Sequence, residues 1–100
     1  MFAKVVTIEG PPETVDEGME GFRDRNLPVM KKAPGWQGAY LLIDRATGKG
    51  MAITLWDSEE EADASERIAA RFREVSARER GGGSTPKVER FEVAVQELKP

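Results

Sequence analysis

The sequence predicts an α+β fold of the ferredoxin-like kind. A four-stranded antiparallel sheet carries two helices on one face, in the order strand-helix-strand-strand-helix-strand. Three observations carry that expectation. Loose apolar alternation marks a strand at each end of the chain. Two long apolar runs joined by a short polar turn mark a central hairpin. Apolar residues three or four apart mark one helix before the hairpin and one after it.

Residues 2–9, FAKVVTIE, are rich in Val and Ile and read as the first strand. Gly10-Pro11-Pro12 breaks it. Thr14 stands as the N-cap of the first helix, with Glu17 three residues on. Val15, Met19, Phe22, Asn26 and Met30 then form one stripe. Pro28 falls inside that pattern, lacks an N–H and clashes with the preceding turn, so a kink or a break into a short second helix is expected near Asn26 and Leu27. Lys31 and Lys32 stand where the helix dipole favours cations, and Pro34-Gly35 ends the element.

The hairpin strands are residues 36–43 and 51–56, with residues 44–49 as the turn and Gly48 as its residue of positive φ. Ser58 and Glu61 make a Ser-x-x-Glu capping box for the second helix. Its inner stripe is Ala62, Ser65, Ile68, Ala69, Phe72, Val75 and Ser76, small at the start and large in the middle. Such a helix lies closer to the sheet at one end. Gly81-Gly82-Gly83-Ser84-Thr85-Pro86 reads as a flexible connector, and residues 87–98 alternate as a long last strand.

The hairpin is too apolar for a strand pair with one wet face. Between residues 36 and 43 only Gln37 is strongly polar, and between 51 and 56 only Thr54 carries a polar side-chain atom. Trp36, Gly38, Tyr40 and Leu42 are expected on one face of their strand, with Gln37, Ala39, Leu41 and Ile43 on the other. In the next strand Met51, Ile53 and Leu55 oppose Ala52, Thr54 and Trp56. Burying one Leu, Ile or Met is worth about 1.5–3 kcal/mol. Four or five such side chains left wet would forgo a sum comparable to a domain's whole stability of about 5–15 kcal/mol. One helical layer covers one face, so a second copy is expected on the other, as a C2 homodimer.

At 100 residues, with 39% hydrophobic and 33% charged residues, the chain is expected to be a single globular domain over 1–100. A net charge of −3 with interspersed Lys and Arg argues against a nucleic-acid partner. No apolar run approaches a membrane span and no signal peptide is legible, which makes the cytoplasm the expected compartment. There is no Cys and no His, which excludes disulfides, the common zinc and transition-metal sites and Ser–His nucleophilic catalysis. Glu59-Glu60-Glu61 reads as the acidic first turn of a helix rather than a metal site. Thr47-Gly48-Lys49 lacks the upstream glycine of a phosphate loop, and Gly81-Gly82-Gly83 neither follows a strand nor opens a helix. The expected cofactor list is therefore empty.

The string PGWQGAYLLIDRATGKGMAITLWDSEEEADAS, with the terminal VERFEVAVQ, resembles the dimeric α+β barrel superfamily, and within it the antibiotic biosynthesis monooxygenase-like domains. Pro34-Gly35-Trp36, Gly38, the turn from Asp44-Arg45 to Gly48, and Thr54-x-Trp56-x-Ser58 carry the resemblance, which spans essentially the whole chain. It implies a barrel-forming homodimer. It does not fix the reaction, because the superfamily holds cofactor-free oxygenases, haem-degrading oxygenases, isomerases and domains of other roles. Haem degraders of this type carry an Asn on the first strand and a Trp and a His on the second helix. Those helix positions fall here at Ser65 and near Val75, and the first strand has no Asn. Haem degradation is accordingly not expected.

Two readings follow. In one, the chain is a cofactor-independent monooxygenase of a small aromatic or quinol-type substrate, with Asn26 and Tyr40 in the polar catalytic roles. Trp36, Thr54, Trp56, Ser65 and Phe72, with Arg71 as a further candidate, line the pocket. In the other, the chain is a non-catalytic small-molecule-binding or stress-related barrel. Each residue also has a structural explanation. The tryptophans can pack against helices, the Tyr40 hydroxyl needs only a partner, and Asn26 can satisfy the carbonyl freed by Pro28.

Overall fold

Strand β1 (Phe2–Glu9) lies inside the sheet, between β3 (Lys49–Trp56) and β4 (Lys87–Glu92), and β2 (Trp36–Asp44) forms the far edge. All pairings are antiparallel and the order is β2-β3-β1-β4, the ferredoxin-like arrangement expected from the sequence. The computed structural model describes residues 1–79 and 85–100, with side chains given outside 76–79. The glycine-rich connector lies mostly outside the described residues, as does the side chain of Ser76.

Register assigns the two faces. On one lie Phe2, Lys4, Val6 and Ile8 of β1 with Trp56, Thr54, Ala52 and Gly50 of β3. This is the face under the helices, where Trp56, Thr54, Lys4 and Val6 are buried. On the other lie Ala3, Val5, Met51, Ile53 and Leu55, joined by Tyr40 and Leu42 of β2 and Phe91 of β4. No element covers this second face among the described residues, and Tyr40, Leu42 and Phe91 are about half exposed there (50%, 50% and 51%).

Trp36 departs from the simple alternation. A bulge between Trp36 and Gly38 places Trp36 opposite Trp56, while Gly38 opposes Leu55. One extra residue shifts the side-chain parity. Trp36 therefore leaves the face of Tyr40 and Leu42 and meets Trp56 edge to face, with ring centroids 5.5 Å apart at 82°.

The first helical region is less regular than its apolar stripe implies. Pro12–Thr14 is a 3-10 turn, and α1 (Val15–Gly21) follows directly. Thr14 does not cap α1: its backbone is already helical and its hydroxyl donates to the Pro11 carbonyl at 2.7 Å. Residues Phe22–Asn26 form a π-helical stretch, closed by a Leu27 N–H donating to Phe22 O, before the short α2 (Leu27–Met30). Pro28, without an amide hydrogen, accounts for this change of winding.

The turn and the second helix start as the sequence indicates. Asp44 accepts from the amides of Ala46 and Thr47 through its carboxylate, at 3.0 and 3.3 Å. Gly48 has φ +83°. Ser58 Oγ accepts from the Glu61 amide at 3.2 Å and donates to the Glu61 carboxylate at 3.0 Å, at the head of α3 (Glu59–Glu79). Ala62 and Ser65, the small residues of its stripe, are buried (0% and 2% exposed), so α3 sits closest to the sheet there. The last strand is shorter than its alternation predicts. It stops at Glu92, the Val93 amide donates to Met1 O, and Val95 and Leu98 are exposed.

Candidate ligand site

Two ends of the helix-covered face differ in filling. At the Trp56 end, Met30, Trp56 and Ala62 make a closed cluster with Phe2, Ala33 and Trp36 against it. The Trp56 indole N–H donates to Thr54 Oγ1 at 2.9 Å, and Ser65 donates to the Ala62 carbonyl at 2.6 Å. Trp56, Thr54 and Ser65 thus satisfy one another or the backbone, and Trp36 packs on the Trp56 ring.

At the Gly48 end the same face holds a cavity of about 120 Å³. Ile8, Leu41, Ile43, Gly50 and Ala52 form its sheet wall. Val15, Met19, Phe22 and Asn26 form its helical wall, and Arg73 of α3 reaches its edge. The space arises from sequence: Gly50 and Ala52 are the small residues of β3 on this face, and α1 carries Gly18 and Gly21. Gly48 seals the turn end. A Cβ there would collide with the Gly10 carbonyl and Pro12, so the hairpin turn seats directly on the loop after β1. The volume is of the order of the ~150 Å³ apolar cavity that admits benzene.

Of the residues singled out from sequence, Asn26 lines this cavity. Its Oδ1 is buried and has no hydrogen-bond partner. It sits in the π-helical stretch, whose altered winding re-aims side chains and recurs at functional sites. Trp36, Thr54, Trp56 and Ser65 belong to the closed end. Phe72 is half-buried and outside the lining, Arg71 is exposed, and Tyr40 is on the uncovered face. Within one chain Asn26 and Tyr40 are therefore on opposite sides of the sheet. Sequence reasoning did not single out Arg73, Arg25, Lys49 and Glu17, the charged side chains of the lining.

Behind Arg73 stands a buried ionic group. Lys4 is 2% exposed, its Nζ 2.9 Å from Glu66 Oε2, although the two are not aligned as a hydrogen bond. Glu66 also pairs through Oε1 with Arg73 Nη2. Burial, and secondarily the charge of Arg73, lower the Lys4 pKa from 10.5 to about 8, while Asp63 opposes the shift. Burial also lowers that of Arg73. Lys4 was the legible signal: it is a cation on a strand face otherwise made of Phe2, Val6 and Ile8. Arg73 falls seven residues, two helical turns, after Glu66 and so shares its side of α3.

No group of three or more metal-binding side chains converges among the described residues. The lining also offers no haem ligand of the usual kind. The chain has no His or Cys, its single Tyr faces the other side, and the Met19 thioether would lack an opposing imidazole. The donor set does not fit haem iron.

No family model matches the chain. Among curated proteins it is similar to two uncharacterized proteins of Mycobacterium tuberculosis, Rv2557 (33% identical over 94 residues) and Rv2558 (32% over 95). These matches cover 94% and 95% of this chain but only 41% and 39% of those proteins, so the chain spans about two-fifths of their length. Among solved structures it resembles the monooxygenase ActVA-Orf6 of Streptomyces coelicolor, solved with nanaomycin D. That match has a TM-score of 0.78 and 19% identity, over 99% of this chain and 92% of that one. It also resembles the haem degrader MhuD of M. tuberculosis, solved with two haems in its active site, with a TM-score of 0.74 and 23% identity over 98% and 100% of the two chains. The chain has the ferredoxin-like α+β fold of these antibiotic biosynthesis monooxygenase-like structures.

Proposed function

We propose that this chain binds a small aromatic or quinol-type molecule in the Asn26 cavity and acts on it as a cofactor-independent monooxygenase. One observation carries the reading. Asn26 Oδ1 is a buried acceptor without a partner in a mostly apolar cavity, and such an atom costs about 1–3 kcal/mol unless something donates to it. A phenolic or quinol hydroxyl would. The nanaomycin D bound by ActVA-Orf6, on the same fold, supports a ligand of this kind.

The chemistry would be simple in its balance. A substrate CH2 flanked by an anionic oxygen reduces O2, one oxygen atom becomes the new ring carbonyl and the other leaves as water. All four electrons come from the substrate. The chain's part is to exclude water, to hold the flat ring against Phe22, Leu41 and Ile43, and to fix the hydroxyl at Asn26. Binding without turnover is the second reading. It is favoured by the lining itself, in which Glu17 is the one carboxylate and no imidazole is present to take a proton.

The uncovered sheet face belongs to the same proposal. Its occupant is a second copy, with Tyr40, Leu42, Met51, Ile53, Leu55 and Phe91 in the interface. Four strands about 4.8 Å apart and eight residues long present roughly 500 Å² per copy, about the ~1,000 Å² total that a specific interface needs. Sedimentation at micromolar concentration should find a dimer, and a stable folded monomer would end this part of the reading. For the site, oxygen uptake and calorimetric binding should be measured with anthrol and naphthoquinol substrates, on wild type and Asn26→Leu. Uptake above buffer that Asn26→Leu abolishes supports the oxygenase, saturable binding alone supports the second reading, and no binding defeats both.

A further inference from the structure

We infer that the cavity selects ligands bearing a carboxylate, with Arg73 as the residue that recognises it and Glu66 and Lys4 as the residues that position Arg73. The inference rests on the ligand site proposed above and narrows its substrate class to aromatic carboxylic acids.

The protein as a whole is acidic, with a formal charge of −3. Its cavity is not: Arg25, Lys49 and Arg73 line it against the one carboxylate of Glu17. Among these, Arg73 has the most defined surroundings. Its side chain is 18% exposed and engages Glu66 through Nη2, one edge of a guanidinium with five donors. Glu66 does not cancel that charge alone, because its other oxygen faces the buried Lys4. Two cations share one carboxylate, and the three together remain a net cation at the cavity edge.

Two other acids of α3 have a cation of their own. Asp63 and Glu59 both accept from Arg90 Nη1 of β4, at 2.5 and 3.0 Å. Asp63 lies ten residues, about 15 Å of helix, before Arg73. Lys4, Glu66 and Arg73 thus form one group at the cavity edge, in which Arg73 shares its carboxylate with a second cation. A guanidinium held beside an apolar cavity discriminates strongly for a planar carboxylate, since low polarity strengthens the pair and the fork matches its two oxygens.

The test uses 2-naphthoate and its neutral isostere 2-naphthamide, with binding followed by calorimetry at pH 7. Wild type should bind the naphthoate at least tenfold more tightly. Arg73→Met should erase that preference while leaving naphthamide affinity and the melting temperature close to wild type, because Glu66 keeps Lys4. Arg73→Lys should restore part of the preference. Equal affinity of wild type for the two probes, or a preference that survives Arg73→Met, overturns the inference and leaves the aromatic site standing. Failure of both probes to bind overturns the site and the inference together.

Discussion

The Trp56 end and the Gly48 end of the sheet lie under the same helices on the same strands, yet one is packed solid and the other is hollow. The difference follows from side-chain size along two strands and from where each helix leans. Near Trp56 the strands supply large rings and α3 supplies Ala62 and Ser65, so helix and sheet close on each other. Near Gly48 the strands supply Gly50 and Ala52, and α1 makes few contacts with the sheet. A large-to-small complement gives a core. Small residues on both sides give a cavity, and Asn26 and Arg73 make that cavity polar at selected points.

Perturbing the closed end should have the largest effect. Trp56→Ala removes a fully buried ring and leaves the Thr54 hydroxyl without its donor, so a loss of about 3–5 kcal/mol is expected in urea denaturation. Met19→Ala, at the hollow end, should cost only about 1 kcal/mol, because the side chain already borders empty space. Equal losses at the two sites would break the comparison.

Next comes the ionic group between the ends. Glu66→Gln leaves Lys4 and Arg73 facing each other without their shared counter-charge and should destabilise by roughly 3 kcal/mol. Lys4→Met in the same background should recover much of it, which a double-mutant cycle by thermal or urea denaturation reads directly.

The Lys4 pKa sharpens the point further. A lysine whose folded pKa is about 8 against 10.5 is held as a cation at a cost. Below pH 8 both folded and unfolded chains carry the proton and that cost is present in full. Between pH 8 and 10.5 only the unfolded chain keeps the proton, so stability rises with pH, by an amount on the order of 2 kcal/mol. The groups facing Lys4 are Glu66, Arg73 and Asp63 of α3, with Arg90 as its partner position on β4. The gain should be absent in Lys4→Met, measured as the wild-type minus mutant difference in denaturation free energy across that range.

Filling the hollow end should change stability least. Ala52→Leu adds three carbons to a wall with room for them, so the denaturation free energy should change by no more than about 1 kcal/mol in either direction. Binding of 2-naphthoate should be lost. Retained binding would place the ligand elsewhere.

Much of this fold was legible. The element order, the hairpin turn with Gly48, the Ser58-Glu61 cap and the small start of the α3 stripe all depend on interactions within a few residues, which sequence spacing encodes. Pro28 announced a break near Asn26, though not its π-helical form. The candidate site was read less well. Aromatic and polar residues near the strand ends stand out in the sequence, yet Trp36, Trp56, Thr54 and Ser65 share the closed end, while Asn26 borders the cavity. Arg73 escaped because a cation on a helix ordinarily reads as a solvated face. Only its pairing with Glu66, and through it with Lys4 of a distant strand, sets it apart.

By itself, the sequence determined which segments are strands and helices, that both sheet faces are apolar, and that no imidazole or thiolate chemistry is available. Those properties follow from composition and from periods of two and 3.6 residues. The tertiary structure alone decided which apolar positions fill space and which leave it empty. A single bulge moved Trp36 across the sheet to Trp56, and the packing of α1 on the sheet brought Gly18 and Gly21 to the same cavity as Gly50 and Ala52. Cavities are differences between volumes contributed by segments far apart in the chain, and no local pattern fixes such a difference.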